Sequence, residues 1–187
     1  MEYLSDRVSI DRKDGRTSVV ISARLPRSRE TVLVAWLVAW LLCGAYVIHA
    51  RYQLPAGDPL RQYLLGFLAF WSYFALVVGK AVAWRLKGFE LWRIKDGTLT
   101  VKNSLWGYGK AHNYFVDNIQ KLGLLNVDQR SWKWQLNQSG WVIGGERLGF
   151  EHMGKKIIFG KGLTDEEARR LVPILKDALK HERKAAM

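Results

Sequence analysis

The chain has 187 residues, a formal net charge of +12 and a single cysteine. This length allows one soluble domain of ordinary size beside a membrane segment, and a single cysteine excludes a disulfide framework. Hydrophobic residues make up 49% of the chain, and two long stretches of them indicate a membrane protein.

The first 30 residues predict a short β-hairpin segment on the cytoplasmic side. Alternating polar and apolar residues favour strands at roughly Arg7–Arg12 and Thr17–Ala23, and Asp14-Gly15 between them is a hairpin-turn signal. Two strands alone are marginally stable in water, so we expect them to pack on the C-terminal domain or on a partner. A disordered basic tail is the alternative.

Residues 31–87 predict a helical hairpin that crosses a membrane twice. The first span, Thr31–Ile48, has no charged residue, and the second, Tyr63–Trp84, has one, Lys80, near its end. A helix needs about 20 mostly apolar residues to cross a bilayer. Pro55 and Pro59 in the connecting loop stop a helix from running through. The alternative is two buried core helices of a soluble protein, but the remaining chain is too small to cover them.

Small residues recur every four positions in both spans. Because small side chains let helix backbones approach closely in lipid, this spacing is typical of close helix packing. The residues concerned are Ala35, Ala39 and Cys43 in the first span and Ala75, Gly79 and Ala83 in the second.

Basic residues flank the spans on one side of the membrane. Three of them precede the first span and three more end the second, whereas the connecting loop has only Arg51 and Arg61. The positive-inside rule therefore places both termini in the cytoplasm. Basic side chains near a bilayer also attract anionic lipid headgroups, and five are predicted to do so here. These are Lys80, Arg85, Lys87, Lys155 and Lys156.

The hydrophobic pattern changes to a period of two from Gly88 onward. Short β-prone runs separated by turns such as Asp96-Gly97 are typical of a small barrel or sandwich. The predicted strands are Phe89–Ile94, Thr98–Lys102, Ala111–Val116, Gln120–Val127, Trp132–Gln135, Trp141–Ile143, Arg147–His152 and Lys155–Phe159.

A single amphipathic helix is predicted at the end of the chain. Thr164 followed three residues later by Glu167 is a capping box. Pro173 lies inside the predicted helix and is expected to bend it. The apolar stripe is Ala168, Leu171, Val172, Leu175, Ala178 and Leu179.

This order of elements resembles a family of small bacterial proteins that have a two-helix membrane anchor and a pleckstrin-homology-like (PH-like) domain. The resemblance rests on Phe89–Val101 (FELWRIKDGTLTV), the strand start Ile119–Leu122, and Ile157–Leu163 (IIFGKGL) leading into Thr164–Leu179. It implies an α+β, mainly-β PH-like barrel over residues 88–187, closed by the C-terminal helix, at the inner (cytoplasmic) membrane. Most members of the family have no assigned activity, so no functional residue carries over.

Signatures of an enzyme are not found in the sequence. The four histidines are far apart, and Gly160-Lys161 is followed by glycine where a phosphate loop needs serine or threonine. We therefore expect no catalytic activity and no cofactor. Residues 88–163 hold an excess of only five positive charges beside a membrane anchor, so a nucleic-acid partner is not expected either.

Three tryptophans, Trp132, Trp134 and Trp141, lie in a segment rich in uncharged amides, apart from Arg130 and Lys133. Aromatic residues are enriched at the centres of protein interfaces, so these three are the predicted partner interface, although they could equally fill the core. The functional hypothesis is a cytoplasmic interaction or scaffolding module at the membrane, with lipid and a membrane protein as partners. The alternative is an accessory subunit of a larger membrane complex, with the spans packed against other subunits.

Overall fold

The computed structural model describes residues 2–13, 15–126 and 143–185. Nine strands in two antiparallel sheets, two long apolar helices and a C-terminal helix occur in these ranges. In chain order they are β1 (Glu2–Tyr3), β2 (Val8–Lys13), β3 (Arg16–Ser22), α1 (Arg27–Gln53), α2 (Leu60–Lys87), β4 (Gly88–Lys95), β5 (Thr98–Leu105), β6 (Ala111–Phe115), a 3-10 turn (Val116–Asn118), β7 (Ile119–Leu124), β8 (Glu146–His152), β9 (Lys155–Lys161) and α3 (Asp165–Ala185).

The N-terminal hairpin belongs to the same sheet as the first strands of the C-terminal domain. Strand β3 pairs antiparallel with β4 from Thr17–Ile94 to Ser22–Phe89, and the N–H of Ala23 donates to the carbonyl of Gly88. The helices α1 and α2 are therefore inserted between two neighbouring strands. Four residues, 23–26, separate β3 from α1, and α2 continues into β4 without a linker.

The predicted barrel closure is wrong. Strands β1 to β6 form one sheet in sequence order and β7 to β9 form a second, and within the described ranges no ladder joins them. The reason lies at the 3-10 turn Val116–Asn118, where the chain leaves the edge of the first sheet. It starts a new sheet at β7, which pairs with β8.

The two sheets and α3 share one hydrophobic core. Trp92 of β4 stacks on Phe159 of β9 with ring centroids 4.4 Å apart, and Phe150 of β8 meets Trp92 edge-on. The predicted stripe of α3 is confirmed, because Ala168, Leu171, Leu175 and Leu179 are buried, with Val172 and Ala178 packed at the edge of the core. Burial of this stripe adds to the direct aromatic contacts that hold the two open sheets together.

The helices α1 and α2 have the length and composition of membrane spans. They have 27 and 28 residues, mean hydropathies of 2.2 and 1.7, and only 11% and 17% of their apolar windows are buried. A core helix of a soluble protein would be mostly buried, whereas lipid contact requires an exposed apolar surface. This finding favours membrane association.

The contact between α1 and α2 does not use the predicted small residues of the first span. Ala35, Ala39 and Cys43 are exposed, and the packed face has bulkier side chains around Leu33 and Val78. Gly44 is the small residue that matters, because the Trp71 ring lies against its backbone and leaves no room for a side chain. The regularly spaced small residues of the first span therefore lie outside this contact, and a large ring packs against Gly44 instead.

Two indole groups also tie α1 to α2. Nε1 of Trp71 donates to the carbonyl of Trp40 at 2.8 Å, and Nε1 of Trp40 donates to the carbonyl of Trp71 at 3.3 Å. Each bond joins one position of α1 to one position of α2. The reciprocal pair therefore fixes the register of the hairpin.

Candidate functional site: a polar junction between the hairpin and the sheets

The described part of the chain has one concentration of buried charge, at the end of the sheets that α2 enters. We call it the polar junction, and it comprises Arg7, Arg85, Glu90, Lys161 and Glu167 with their neighbours. It brings together the residue before β2, the end of α2, β4, β9 and α3. These residues come from three separate parts of the sequence, so the fold itself creates the site.

Glu90 is the most deeply buried carboxylate of the junction, at 2% exposure. Its Oε2 accepts from the backbone N–H groups of Gly160 at 2.6 Å and Lys161 at 3.1 Å. Its Oε1 lies 3.4 Å from Nζ of Lys161. With its side-chain amide oriented to suit both neighbours, Asn103 donates to Oε1 at 2.9 Å and accepts from Nζ of Lys161 at 3.2 Å. Both oxygens of Glu90 are therefore satisfied.

Lys161 connects this carboxylate to helix α2. Its ammonium group lies 5.6 Å from the centre of the buried Trp84 ring, within cation–π range, and 4.0 Å from Glu146. Trp84 in turn packs on Gly88, where a side chain would clash with the indole ring. The end of α2, the start of β4 and the end of β9 are thus held together around one lysine.

The second half of the junction joins the N-terminal hairpin to α3. Nη2 of Arg7 donates to Oε2 of Glu167 at 2.8 Å and to the carbonyl of Gly162 at 2.7 Å. Ser5 donates its hydroxyl to Oε1 of Glu167 at 2.7 Å. The predicted capping box is confirmed, because Thr164 and Glu167 exchange backbone-to-side-chain bonds of 2.8 and 3.1 Å.

Glu167 has a strongly lowered pKa as a result of these contacts. Burial alone would raise the pKa of its carboxyl. Hydrogen bonds from Arg7, the Thr164 N–H and Ser5, together with the Arg7 charge, outweigh burial and lower the pKa from 4.5 to about 2. The carboxylate is therefore ionised at any physiological pH.

Arg85 is the member of the junction without a counter-ion among the described residues. It is 3% exposed, its Nε has no hydrogen-bond partner, and its Nη1 lies against Gly162. The prediction that Arg85 contacts a lipid headgroup is not supported, because its side chain is covered by protein rather than exposed at the helix surface. A buried, unpaired cation destabilises the protein that contains it.

The other predicted headgroup residues are not all on one surface. Lys80 and Lys87 are exposed on α2. Lys155 and Lys156 are also exposed, but Lys155 is six residues from Lys161 along β9, or about 20 Å. They lie at the end of the sheets opposite to α2. The structure therefore does not bring these two lysines together with Lys80 and Lys87.

The predicted partner interface, Trp132, Trp134 and Trp141, lies outside the described residues. Whether these side chains bind a partner or fill the core stays a prediction.

The sequence pattern does not predict that Glu90 is buried, because the alternation of apolar residues in its strand is ambiguous. In Phe89–Ile94 one face carries Phe89, Leu91 and Arg93 and the other carries Glu90, Trp92 and Ile94. The structure buries the second face. The neighbouring strand offers a signal for this burial, because Asn103 lies directly opposite Glu90 and can form a hydrogen bond with its carboxylate.

The chemistry of the junction is that of a structural link. Its carboxylates are held by several donors each, so none is free to act as a base, and its basic groups are covered or engaged. Within residues 2–13, 15–126 and 143–185, no group of three or more histidine, cysteine or acidic side chains could hold a metal ion. The arrangement fixes the hairpin to the sheets.

A scan against protein-family models and searches of curated proteins and of solved structures gave no match to this chain. The resemblance to PH-like membrane proteins therefore stays a prediction.

Proposed function

We propose that this protein is a membrane-anchored, PH-like interaction or scaffolding module on the cytoplasmic face of a bacterial inner membrane. One observation carries the proposal: the helical hairpin is inserted between the paired strands β3 and β4. A tethered domain would be joined to its anchor by a flexible linker. Here α2 continues directly into β4, so the anchor and the sheets form one continuous unit.

Such a continuous unit suits a scaffold because it fixes the orientation of the sheets relative to the helical hairpin. The polar junction locks the end of α2 to β4 and β9 through Glu90, Lys161 and Trp84. The same faces of the module would then always point toward the bilayer and toward the cytoplasm. A partner that is itself in the membrane would meet a preoriented surface, which lowers the entropic cost of binding.

The second candidate is an accessory subunit whose helices bind other membrane helices. One observation favours it: Ala35, Ala39 and Cys43 form an exposed small-residue face on α1, turned away from α2. Small residues in this spacing allow close helix packing in lipid.

Co-purification in mild detergent separates the two candidates. We expect the full-length protein to retain a reproducible set of membrane proteins, and the paired changes Trp132→Ser and Trp134→Ser to release them if the module is the contact. Ala35→Leu with Ala39→Leu is the matched change on the helix face, and it should leave those proteins bound. If only the alanine variant loses the co-purifying membrane proteins, the accessory-subunit candidate is favoured. If both variants keep them, neither the tryptophans nor the small-residue face is the interface.

Topology provides an independent test of the membrane orientation. In a Cys43→Ser background, we expect a cysteine at Ala56 to be labelled by an impermeant reagent in intact cells, and a cysteine at Ala185 to be labelled only after permeabilisation. The reason is that more basic residues lie near the start of α1, beside Arg27, and near the end of α2, beside Lys87, than in the loop that connects the two helices. The reverse pattern would place the module outside the cytoplasm.

A further inference from the structure

The turn between β5 and β6 displays two aromatic side chains. Trp106 is 63% exposed and Tyr108 is 84% exposed. The turn is nevertheless well formed, because Leu105 and Tyr108 exchange backbone hydrogen bonds of 2.8 and 3.0 Å. Its central residues, Trp106 and Gly107, have φ values of 52° and 84°, as a two-residue type I′ turn requires.

This turn lies beside the end of the second membrane helix. Leu105, the last residue of β5, pairs with Gly88, which directly follows α2. Paired Cα atoms are about 5 Å apart. Strand β4 leads away from the helix and β5 returns antiparallel to it, so the chain beyond Leu105 heads back toward the bilayer that α2 leaves.

The chemistry of the turn fits the interfacial layer of a membrane. Trp and Tyr combine an apolar ring with one polar group, and they concentrate where headgroups meet hydrocarbon. Two lysines accompany them: Nζ of Lys102 donates to the carbonyl of Gly107 at 3.0 Å, and Lys110 follows on the same connection. Lysine stems of this kind let the ammonium group reach headgroup phosphates.

The turns at the opposite end of the sheets are built differently. Asp96-Gly97 and Met153-Gly154 also have positive φ at both residues, but they carry no aromatic side chain. Phe115, which pairs with Thr98 beside the Asp96-Gly97 turn, is 67% exposed, but its ring carries no polar group. Exposed Trp and Tyr side chains, which combine a ring with a polar group, are thus found on the connection next to α2 and not on these two distant turns.

We propose that Trp106 and Tyr108 insert into the interfacial layer of the bilayer that α1 and α2 span, forming a third membrane contact. This inference rests on the proposed function, since it needs the hairpin to be in a bilayer. The contact would hold the sheets against the cytoplasmic leaflet and stop them from rotating about the axis of α2.

Depth-dependent fluorescence quenching tests the contact. In full-length Cys43→Ser protein, single cysteines replace Tyr108, Met153 or Tyr73 and carry an environment-sensitive fluorophore. Tyr73 is an exposed position on α2, and Met153, at 76% exposure, is the matched control in a turn of the same type. The protein is reconstituted in vesicles of phosphatidylglycerol and phosphatidylethanolamine that contain brominated lipid.

We expect the label at position 108 to lose a large part of its emission and shift to the blue, as the label at position 73 does, while position 153 stays unquenched. Quenching at position 73 without quenching at position 108 would overturn the contact and leave the proposed function intact. Equal quenching at positions 108 and 153 would overturn it as well. No quenching at position 73 would show that the hairpin is not inserted, and both proposals would fail.

Discussion

Replacing Glu90 with leucine is expected to destabilise the protein more than any other single change at the polar junction. The change removes the carboxylate nearest to Lys161, which keeps only Glu146 at 4.0 Å, and it takes away the side-chain acceptor of the Gly160 and Lys161 backbone N–H groups. Breaking a buried, hydrogen-bonded charge pair in this way costs about 3–5 kcal/mol. The apparent Tm of the detergent-solubilised chain should fall by about 10 °C or more.

Two other variants make this result specific. Glu151 pairs with Lys121 at 2.9 Å on the surface, with side-chain exposures of 39% and 72%. Glu151→Leu should therefore change stability by less than about 1 kcal/mol, because solvent screens an exposed pair. Arg85→Met removes a buried cation without a partner in the described structure, so it should leave the Tm unchanged or raise it. Equal losses for Glu90→Leu and Glu151→Leu would contradict the importance of the junction.

Local pattern was enough to predict most of the individual elements. The positive φ values at Asp96 and Gly97 follow from the residues themselves, and so does the capping box of Thr164 and Glu167. The two long apolar helices are recognisable because an uncharged apolar stretch of eighteen residues, such as Thr31–Ile48, is typical of a membrane-spanning helix. Each of these signals lies within a few neighbouring residues, where one local preference decides the outcome.

The arrangement of those elements could not be predicted in the same way. Pairing of β3 with β4 joins strands that are separated by the whole hairpin, and no residue in either strand encodes that choice alone. The contact between α1 and α2 involves Gly44 and Trp71, and the regular spacing of small residues does not by itself say which helix they meet. The junction combines both difficulties, since Glu90 is recognisable as a buried group only once Lys161 and Asn103 lie beside it.

The pH dependence of stability should reveal the second half of the junction. Glu167 has a pKa of about 2 in the folded chain against an ordinary value of 4.5. A lowered folded pKa contributes stability that is complete above the unfolded value and is lost as the pH falls through the folded value. The unfolding free energy should therefore decline between about pH 4.5 and pH 2. The shift corresponds to at most about 3 kcal/mol, and solvent screening of this partly exposed pair reduces it to about 1–2 kcal/mol.

A comparison of two neighbouring glutamates isolates this contribution from the other carboxylates. Glu167→Gln keeps the shape of the capping side chain but removes the charge that Arg7 stabilises, so its stability should depend less on pH than that of the unchanged protein. Glu166→Gln alters the same first turn of α3, but the side chain of Glu166 is 73% exposed and pairs with Arg170 on the surface. Its stability curve should stay parallel to that of the unchanged protein in denaturant titrations from pH 5 to pH 2. If the Glu167→Gln curve is parallel as well, the charge of Glu167 does not stabilise the fold through Arg7, and the N-terminal hairpin must be held by its pairing with β4 and by its other contacts.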